Sequence, residues 1–271
     1  MPGITAHMVV KNEDRFVGYA IRSVLPYVDT FLITDTGSTD HTIKLISSIK
    51  SPKIIFDSIP CLTRADITRV RCEHIRKTKT DWIWLVDGDE IYPYKLCEEI
   101  CTVIQQNKYF GIVVKRYDVL GDVFHCQAES VGSYSLYGKT GHFSTRVISR
   151  KKITGLNFTG DYPLEDYHDN KGVRIKNYPS NQFYFTKLKY WHVGYLTRSS
   201  AGSSLFRTLN RHKYKIETGY PINTSLPEIF YQRFQQFDLV SPLKPRSVWY
   251  KIAAHLITPI KKLKRMVKRA S

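Results

Sequence analysis

Trp82-Ile83-Trp84-Leu85-Val86-Asp87-Gly88-Asp89-Glu90 is the stretch on which the fold turns. Its apolar run, rich in aromatic and β-branched residues, reads as a strand buried on both faces. The three carboxylates that follow mark its C-terminal end. A strand of this kind belongs to a sheet covered by helices, so the flanking sequence should alternate strands with amphipathic helices. Upstream, Ile4 to Val10 reads as a first strand and Asp29 to Asp35 as a second, with Lys53 to Phe56 as a third. Between them, Phe16, Ala20 and Val24 recur at helical spacing as far as Pro26. Thr39 is placed to cap a helix carrying Ile43, Leu45, Ile46 and Ile49. A further helix carries Ile67, Val70, Arg71 and Ile75.

Downstream, a helix with Leu96, Ile100, Val103 and Ile104 follows Pro93, and Gly111 to Tyr117 reads as another strand. From 118 to 180 the pattern loosens into Gly, Tyr, Ser and Asp with short strand-like runs such as Phe143 to Ser149. That suits an antiparallel excursion with site-forming loops. The fold class expected is therefore α/β, a Rossmann-like mixed sheet flanked by helices. Residues 1–200 would form the catalytic domain, 201–245 a helical extension and 246–271 a basic amphipathic helix.

Three carboxylates at the end of a buried strand raise one another's pKa unless a cation sits among them. A hard divalent ion, Mn2+ or Mg2+, meets that need, because it takes oxygen ligands from one or two carboxylates plus substrate phosphates. Open α/β sheets bind their ligands outside the carboxyl ends of their strands. Two more strand ends offer polar groups at that edge: Val10-Lys11-Asn12-Glu13 and Asp35-Thr36-Gly37-Ser38-Thr39-Asp40, where Gly37 permits a tight turn. A nucleotide lying across neighbouring strand ends would meet both.

Together these segments resemble the family-2 glycosyltransferases of the GT-A fold, which use nucleotide-diphosphate sugars. The resemblance rests on Val9 to Glu13, Asp35 to Thr42, Asp66 to Arg71, Asp81 to Glu90 and Trp191 to Tyr195, in the family's order. The branch it is most similar to extends lipopolysaccharide core, capsule and other surface glycans. The resemblance implies a GT-A sheet and residue roles. Val10, Asn12 and Glu13 would approach base and ribose, Asp35 the uracil ring, and Gly37 and Gly88 the donor. Arg71 would face nucleotide or diphosphate, although Cys72 stands where the family usually has Asn. Asp87 and Asp89 form the Asp-x-Asp pair, and with His192 they would hold the metal, Asp89 as the more direct ligand. The reaction would be an inverting displacement from a UDP-sugar to a hydroxyl of a glycan or glycolipid acceptor. A carboxylate would take the proton, with Asp166 placed ahead of Glu165 and Asp161.

Composition narrows the alternatives. With 42% hydrophobic residues the 271-residue chain can fill a core, while 41 Lys and Arg against 24 Asp and Glu leave +17 and call for an anionic partner. Residues 246–271 supply +8 of that excess and contain no acid. There Trp249, Ile252, Ala253, Leu256, Ile260, Leu263 and Val267 form an apolar stripe among lysines, although Pro259 should kink it. An in-plane contact with an anionic membrane surface is expected, since each nearby Lys or Arg gains about 1 kcal/mol from anionic headgroups. A core-packing helix with an exposed basic face is the alternative. With no spanning segment and no secretory signal, the expected location is cytoplasmic, peripheral on the inner membrane face. Cys61, Cys72, Cys97, Cys101 and Cys126 show no Cys-x-x-Cys pair and read as reduced thiols. Two other classes compete. A nucleotidyltransferase would want a Gly- and Lys-rich phosphate loop after the first strand. A nucleic-acid-binding protein would carry its charge on a recognisable module. Neither feature is in the sequence, and no nucleic-acid partner is expected.

Overall fold

The computed structural model describes residues 2–60, 63–131, 134–160, 165–201, 215–232 and 241–270. The expected alternation opens the chain: β1 (Ile4–Val10), α1 (Val17–Val24), β2 (Thr30–Asp35), α2 (Thr42–Ser48), β3 (Ile54–Ser58), α3 (Arg64–Lys77) and β4 (Trp82–Leu85). Period-two alternation along β4 sets the layers. Trp82 and Trp84 turn to a core shared with Val17, Ile21, Leu45 and Ile46 of α1 and α2. Ile83 and Leu85 turn to the opposite core, which holds Ile75 of α3. Both tryptophans are at most 1% exposed, so the apolar run is a central strand covered on both sides.

Two helix starts refine the sequence reading. The second helix starts at Thr42 with His41, not Thr39, at its N-cap position and no side-chain cap bond, and the Thr39 amide is taken by Asn12 Oδ1 at 2.8 Å. The third helix opens with a reciprocal cap between Thr63 and Asp66.

After β4 come β5 (Glu90–Ile91), α4 (Tyr94–Gln105) and β6 (Gly111–Asp118), and Leu96, Ile100, Val103 and Ile104 of α4 join the first core as expected. The loose region yields β7 (His125–Cys126), β8 (Tyr134–Leu136), β9 (Lys139–Gly141), β10 (Phe143–Ser149), β11 (Asn157–Thr159) and β12 (Asp166–His168). Small antiparallel pairs do form, β8 with β9 and β11 with β12. The strand Phe143 to Ser149 departs from the excursion, however: β10 enters the main sheet, antiparallel to both β4 and β6. The long β13 (Phe183–His192) follows, then β14 (Tyr220–Pro221) and α5 (Val248–Ala270).

The main sheet has eight strands in the order β3-β2-β1-β4-β10-β6-β13-β5. The mixed α/β class is therefore as expected. Its first four strands are parallel, so the ends of β1, β2 and β4 meet on one edge. At the far side, β13 runs parallel to β6 and antiparallel to β5, and the register sets His192 opposite both Asp118 and Glu90. That register carries the end of β13 to the carboxylates that follow β4. Of the helical extension expected over 201–245, residues 202–214 and 233–240 lie outside the described residues. The rest holds β14 and a short 3-10 turn at Glu228–Tyr231.

Candidate active site

At the shared strand edge, Asp89 is 7% exposed and stands between two cations. Arg198 Nη1 donates to its Oδ2 at 2.9 Å, and His192 Nε2 lies 3.6 Å from the same oxygen. Arg198 also pairs with Glu13. Burial works against the Arg198 charge, and Glu13 and Asp89 more than restore it. Behind His192 stands a second carboxylate. Asp118 Oδ1 is 2.6 Å from His192 Nδ1, and Asp118 Oδ2 is 2.7 Å from His142 Nδ1. Arg116 Nε donates to Asp118 at 2.8 Å, and His142 Nε2 faces the Ala128 carbonyl at 2.9 Å.

Burial alone would raise the Asp118 carboxyl. Bonds from His142 and His192 and the Arg116 charge hold it well below the usual carboxylate range. Burial would likewise lower the His192 imidazole, but Asp89 and Asp118 on its two nitrogens lift it to about 10. One histidine thus links two buried carboxylates, Asp89 at the strand edge and Asp118 behind it.

The residues present fit a divalent ion of the kind the acidic turn called for. Among the described residues no three His, Cys, Asp or Glu side chains converge as a closed metal cage. The pair Asp89 Oδ2 and His192 Nε2 does converge, and Gly194 leaves the space beside it clear. A Cβ at Gly194 would lie 2.8 Å from His192 Nε2 and 3.0 Å from Asp89 Oδ2. An oxygen and an imidazole nitrogen suit Mn2+ or Mg2+ when phosphate oxygens complete the shell and the ion takes the place of the Nε2 proton.

Asp87, the first acid of the turn, faces two other cations. Arg146 Nη2 lies 3.0 Å from its Oδ2, and Arg71 Nη2 lies 3.9 Å from its Oδ1. Arg146 also pairs with Glu90, whose carboxylate accepts from Tyr190 at 2.7 Å and Tyr92 at 3.1 Å. Burial lifts the Glu90 carboxyl to about 7 against the pull of Arg146. Glu90 is a structural acid, fully enclosed.

The first two loops are fastened to one another. Asn12 adopts a positive φ of 56°, and its amide donates to Ser38 Oγ at 2.8 Å. Gly37 turns at φ 93°, a conformation that favours glycine. Asp35 is fully buried, and its Oδ2 accepts from the Gly37 and Ser38 amides at 3.0 Å each. Asn12 and Asp35, expected at the nucleotide, fasten the loop pair through these bonds. Val10 and Glu13 do line the edge, both within reach of a Cβ placed on Gly88. The segment after β13 straps the loops from above: Ser199 Oγ bonds Asp40, and the Ser200 amide donates to Asp14 Oδ1 at 2.8 Å.

The three acids expected as the base stand differently. Asp166 pairs with Lys176 Nζ at 2.9 Å. Tyr167 turns the other way and packs on Phe158, the ring under Arg71, as adjacent strand residues must. Asp166 therefore faces away from the Arg71–Asp87 cluster. Glu165, one residue earlier, has a buried Oε2 without a hydrogen-bond partner among the described residues. Asp161 lies outside the described residues.

Sequence reasoning missed Arg198, Arg146, Asp118, His142 and Gly194. A charged residue inside an apolar strand, as Arg146 is in Phe143 to Ser149, is a signal for a buried acid partner. The others needed the register of β6, β13 and β5.

The glycosyl transferase family 2 model matches residues 5–160, more than half of the chain. The chain belongs to glycosyl transferase family 2. The sheet described above is the GT-A arrangement expected of it. An uncharacterized glycosyltransferase of Rickettsia bellii (strain RML369-C) is 26% identical over 177 residues, 64% of this chain and 55% of that protein. The SPbeta prophage-derived glycosyltransferase SunS of Bacillus subtilis (strain 168) is 22% identical over 196 residues, 72% of this chain and 40% of that protein. The chain thus spans about half the length of the curated relatives it matches. Among solved structures, S. aureus TarS 1-349 in complex with UDP-GlcNAc aligns with a TM-score of 0.46 at 12% identity, over 70% of this chain and 58% of that one. Glucosyl-3-phosphoglycerate synthase from Mycobacterium tuberculosis, crystallised with Mn2+, UDP-glucose and phosphoglyceric acid, aligns with a TM-score of 0.46 at 18% identity, over 71% and 72%.

Proposed function

We propose that this chain moves a sugar, with inversion, from a nucleotide-diphosphate sugar to a hydroxyl of a surface-glycan acceptor, in a reaction assisted by Mn2+ or Mg2+. A UDP-sugar is our choice of donor, and lipopolysaccharide, capsule or lipid-linked oligosaccharide our choice of acceptor. The observation that carries the reading is the pair Asp89 and His192, 3.6 Å apart with the space beside them kept clear by Gly194, at the strand edge of a family-2 sheet.

Asp89 and His192 would hold the ion, which when bound supplies positive charge to the departing diphosphate. The protein's own cations serve the same end. Arg198 and Arg71 stand on either side of the acidic turn, where donor phosphates could replace carboxylates as their partners. Asp118, fixed by His142 and Arg116, orients the His192 ring so that Nε2 faces Asp89. Val10 and Gly88 give the donor a close-approach floor. The acceptor oxygen forms its bond to the anomeric carbon as the bond to the diphosphate oxygen breaks, and the acceptor proton passes to a carboxylate. We assign that base to Glu165, whose Oε2 has no hydrogen-bond partner among the described residues, where Asp166 is bound to Lys176.

The test is incubation with Mn2+ and a panel of UDP-, GDP- and dTDP-sugars, following released nucleoside diphosphate and pyrophosphate separately. Nucleoside diphosphate should appear, and both EDTA and Asp89→Asn should suppress it. Release of pyrophosphate would favour the nucleotidyltransferase reading, and activity undiminished in EDTA would refute the metal.

A further inference from the structure

The C-terminal helix is fastened to the protein by the wrong face for a core helix. Tyr250, Ala254, Thr258, Lys261 and Arg265 recur every three or four residues, and this row faces inward. Ala254 and Thr258 are buried. Thr258 Oγ1 accepts the Thr218 amide at 2.9 Å, and Tyr250 donates to the Lys215 carbonyl at 3.0 Å over Gly121. Arg265 makes a two-pronged pair with Glu217 at 2.6 and 2.8 Å, and Lys261 stands 3.6 Å from the same carboxylate. Polar contacts of defined partner and direction hold this face down.

The opposite face is the apolar stripe. Trp249, Ile252, Leu256, Ile260, Leu263 and Val267 repeat with the same three-and-four spacing, displaced about half a turn from the docked row. All six are exposed, Trp249 to 80%, Leu256 to 69% and Val267 to 62%. The alternative of a core-packing helix with a basic outer face is thereby reversed, because the helix packs through its polar side. An apolar patch of this length left open on a folded protein marks an interaction surface. Its surroundings select the partner. From Val248 to Ala270 the helix carries seven Lys or Arg and no acid, and Lys251, Lys262 and Lys264 flank the stripe on its two sides. Among the described residues no helix is long and apolar enough to cross a membrane.

We propose that the outward face of α5 lies in the headgroup boundary of an anionic lipid bilayer, and that the clamp to Glu217 and Thr218 holds it there as a rigid face of the enzyme. A stripe sinks among acyl chains while flanking cations meet lipid phosphates, which is the chemistry of an in-plane helix. A protein partner would need acidic side chains spaced along the whole basic margin, whereas an anionic bilayer supplies that charge at every position. Because the inner face is already occupied, the chain would meet lipid in one orientation.

The test is flotation of the 271-residue chain with vesicles of phosphatidylcholine alone or mixed with phosphatidylglycerol, beside the triple variant Leu256→Glu, Ile260→Glu, Leu263→Glu. These three side chains are exposed and lie opposite the docked row, so the thermal midpoint of the variant should match that of the parent. The parent should rise with the anionic vesicles, and less so in high salt, where screening shortens the reach of its lysines. The variant should bind about tenfold or more weakly. Absence of flotation by the parent, or equal flotation of both chains, would overturn the proposal. So would a concentration-dependent dimer that the variant abolishes while vesicles capture neither, since a second copy would then be the occupant. No donor or acceptor is needed, so the outcome is separate from that of the catalytic assay.

Discussion

Gly194→Ala separates the site's chemistry from the fold. The backbone at Gly194 lies outside the left-handed region, so alanine meets no conformational strain there, and the unfolded chain loses entropy worth about 0.4–1 kcal/mol in favour of the native state. The added Cβ, however, falls 2.8 Å from His192 Nε2, 2.9 Å from its Cε1 and 3.0 Å from Asp89 Oδ2, all short of ordinary van der Waals contact. Something must give by about half an ångström. His192 cannot retreat easily, because Asp118 grips its Nδ1 at 2.6 Å and is itself held by His142 and Arg116. The methyl group therefore occupies the space where the ion and a donor phosphate would meet Asp89 and His192. Stability should stay within about 1 kcal/mol of the parent, since the entropic gain and the local clash oppose each other. Loss of ligand orientation should cost roughly 10- to 100-fold in Mn2+ affinity and in kcat/KM. Thermal unfolding, Mn2+ binding followed by electron paramagnetic resonance in the presence of UDP, and release of UDP from the donor give the three readouts. Parental Mn2+ affinity and turnover in Gly194→Ala would refute the placement of the ion, whatever the thermal midpoint did.

Three further outcomes follow from named contacts. Glu165→Gln should lower kcat about a hundredfold or more with little change in donor KM, whereas Asp166→Asn should lose only its surface pair with Lys176; the reverse pattern would return the base to Asp166. Asp118→Asn should reduce Mn2+ affinity about tenfold or more. It should also lower the thermal midpoint, because it leaves buried Arg116 without its partner; unchanged metal affinity would show that His192 is oriented by other means. His74, buried against Thr34 and pushed down to about 4 by burial and by Arg71, binds a proton in the unfolded chain before it does so in the folded one. Its contribution to stability is thus whole above pH 6.5 and lost as pH falls toward 4, about 2 kcal/mol at pH 5. The urea midpoint of the parent should fall more steeply between about pH 7 and pH 5 than that of His74→Gln, and equal slopes would remove His74 from the account.

The part of the fold that could be read from sequence is the part built from local periodicity. In the first half of the chain, each strand needs residues buried on both faces and each helix needs one apolar stripe, and those patterns lie within a few residues of one another. The strand Trp82–Leu85 and the helix of Leu96, Ile100, Val103 and Ile104 are cases. Local reading fails for β10 because Phe143 to Ser149 has the same composition whether it forms a separate hairpin or inserts between β4 and β6. Only long-range pairing decides that. It is silent on the bonds from the Gly37 and Ser38 amides to Asp35 because a carboxylate beside a glycine turn looks alike with or without them. The different settings of Glu165 and Asp166 are hidden for a related reason: Asp166 and Tyr167 take opposite sides of β12, and the side is set by Tyr167 packing on Phe158.

The acidic turn shows how structure sorts groups that sequence leaves equivalent. Asp87, Asp89 and Glu90 stand within four residues and all demand positive charge, and the fold supplies it from strands and loops far along the chain. Glu90 receives Arg146 and two tyrosine hydroxyls, and its side chain is wholly enclosed, so no ligand can compete for it. Asp89 receives Arg198 and His192, whose side chains remain 17% and 21% exposed. Charge pairs that reach solvent can exchange partners, while those sealed behind aromatic rings cannot. On the proposed function, an incoming diphosphate would draw Arg198 from Asp89 and free the carboxylate for a cation, leaving the Glu90–Arg146 pair to hold the turn in place.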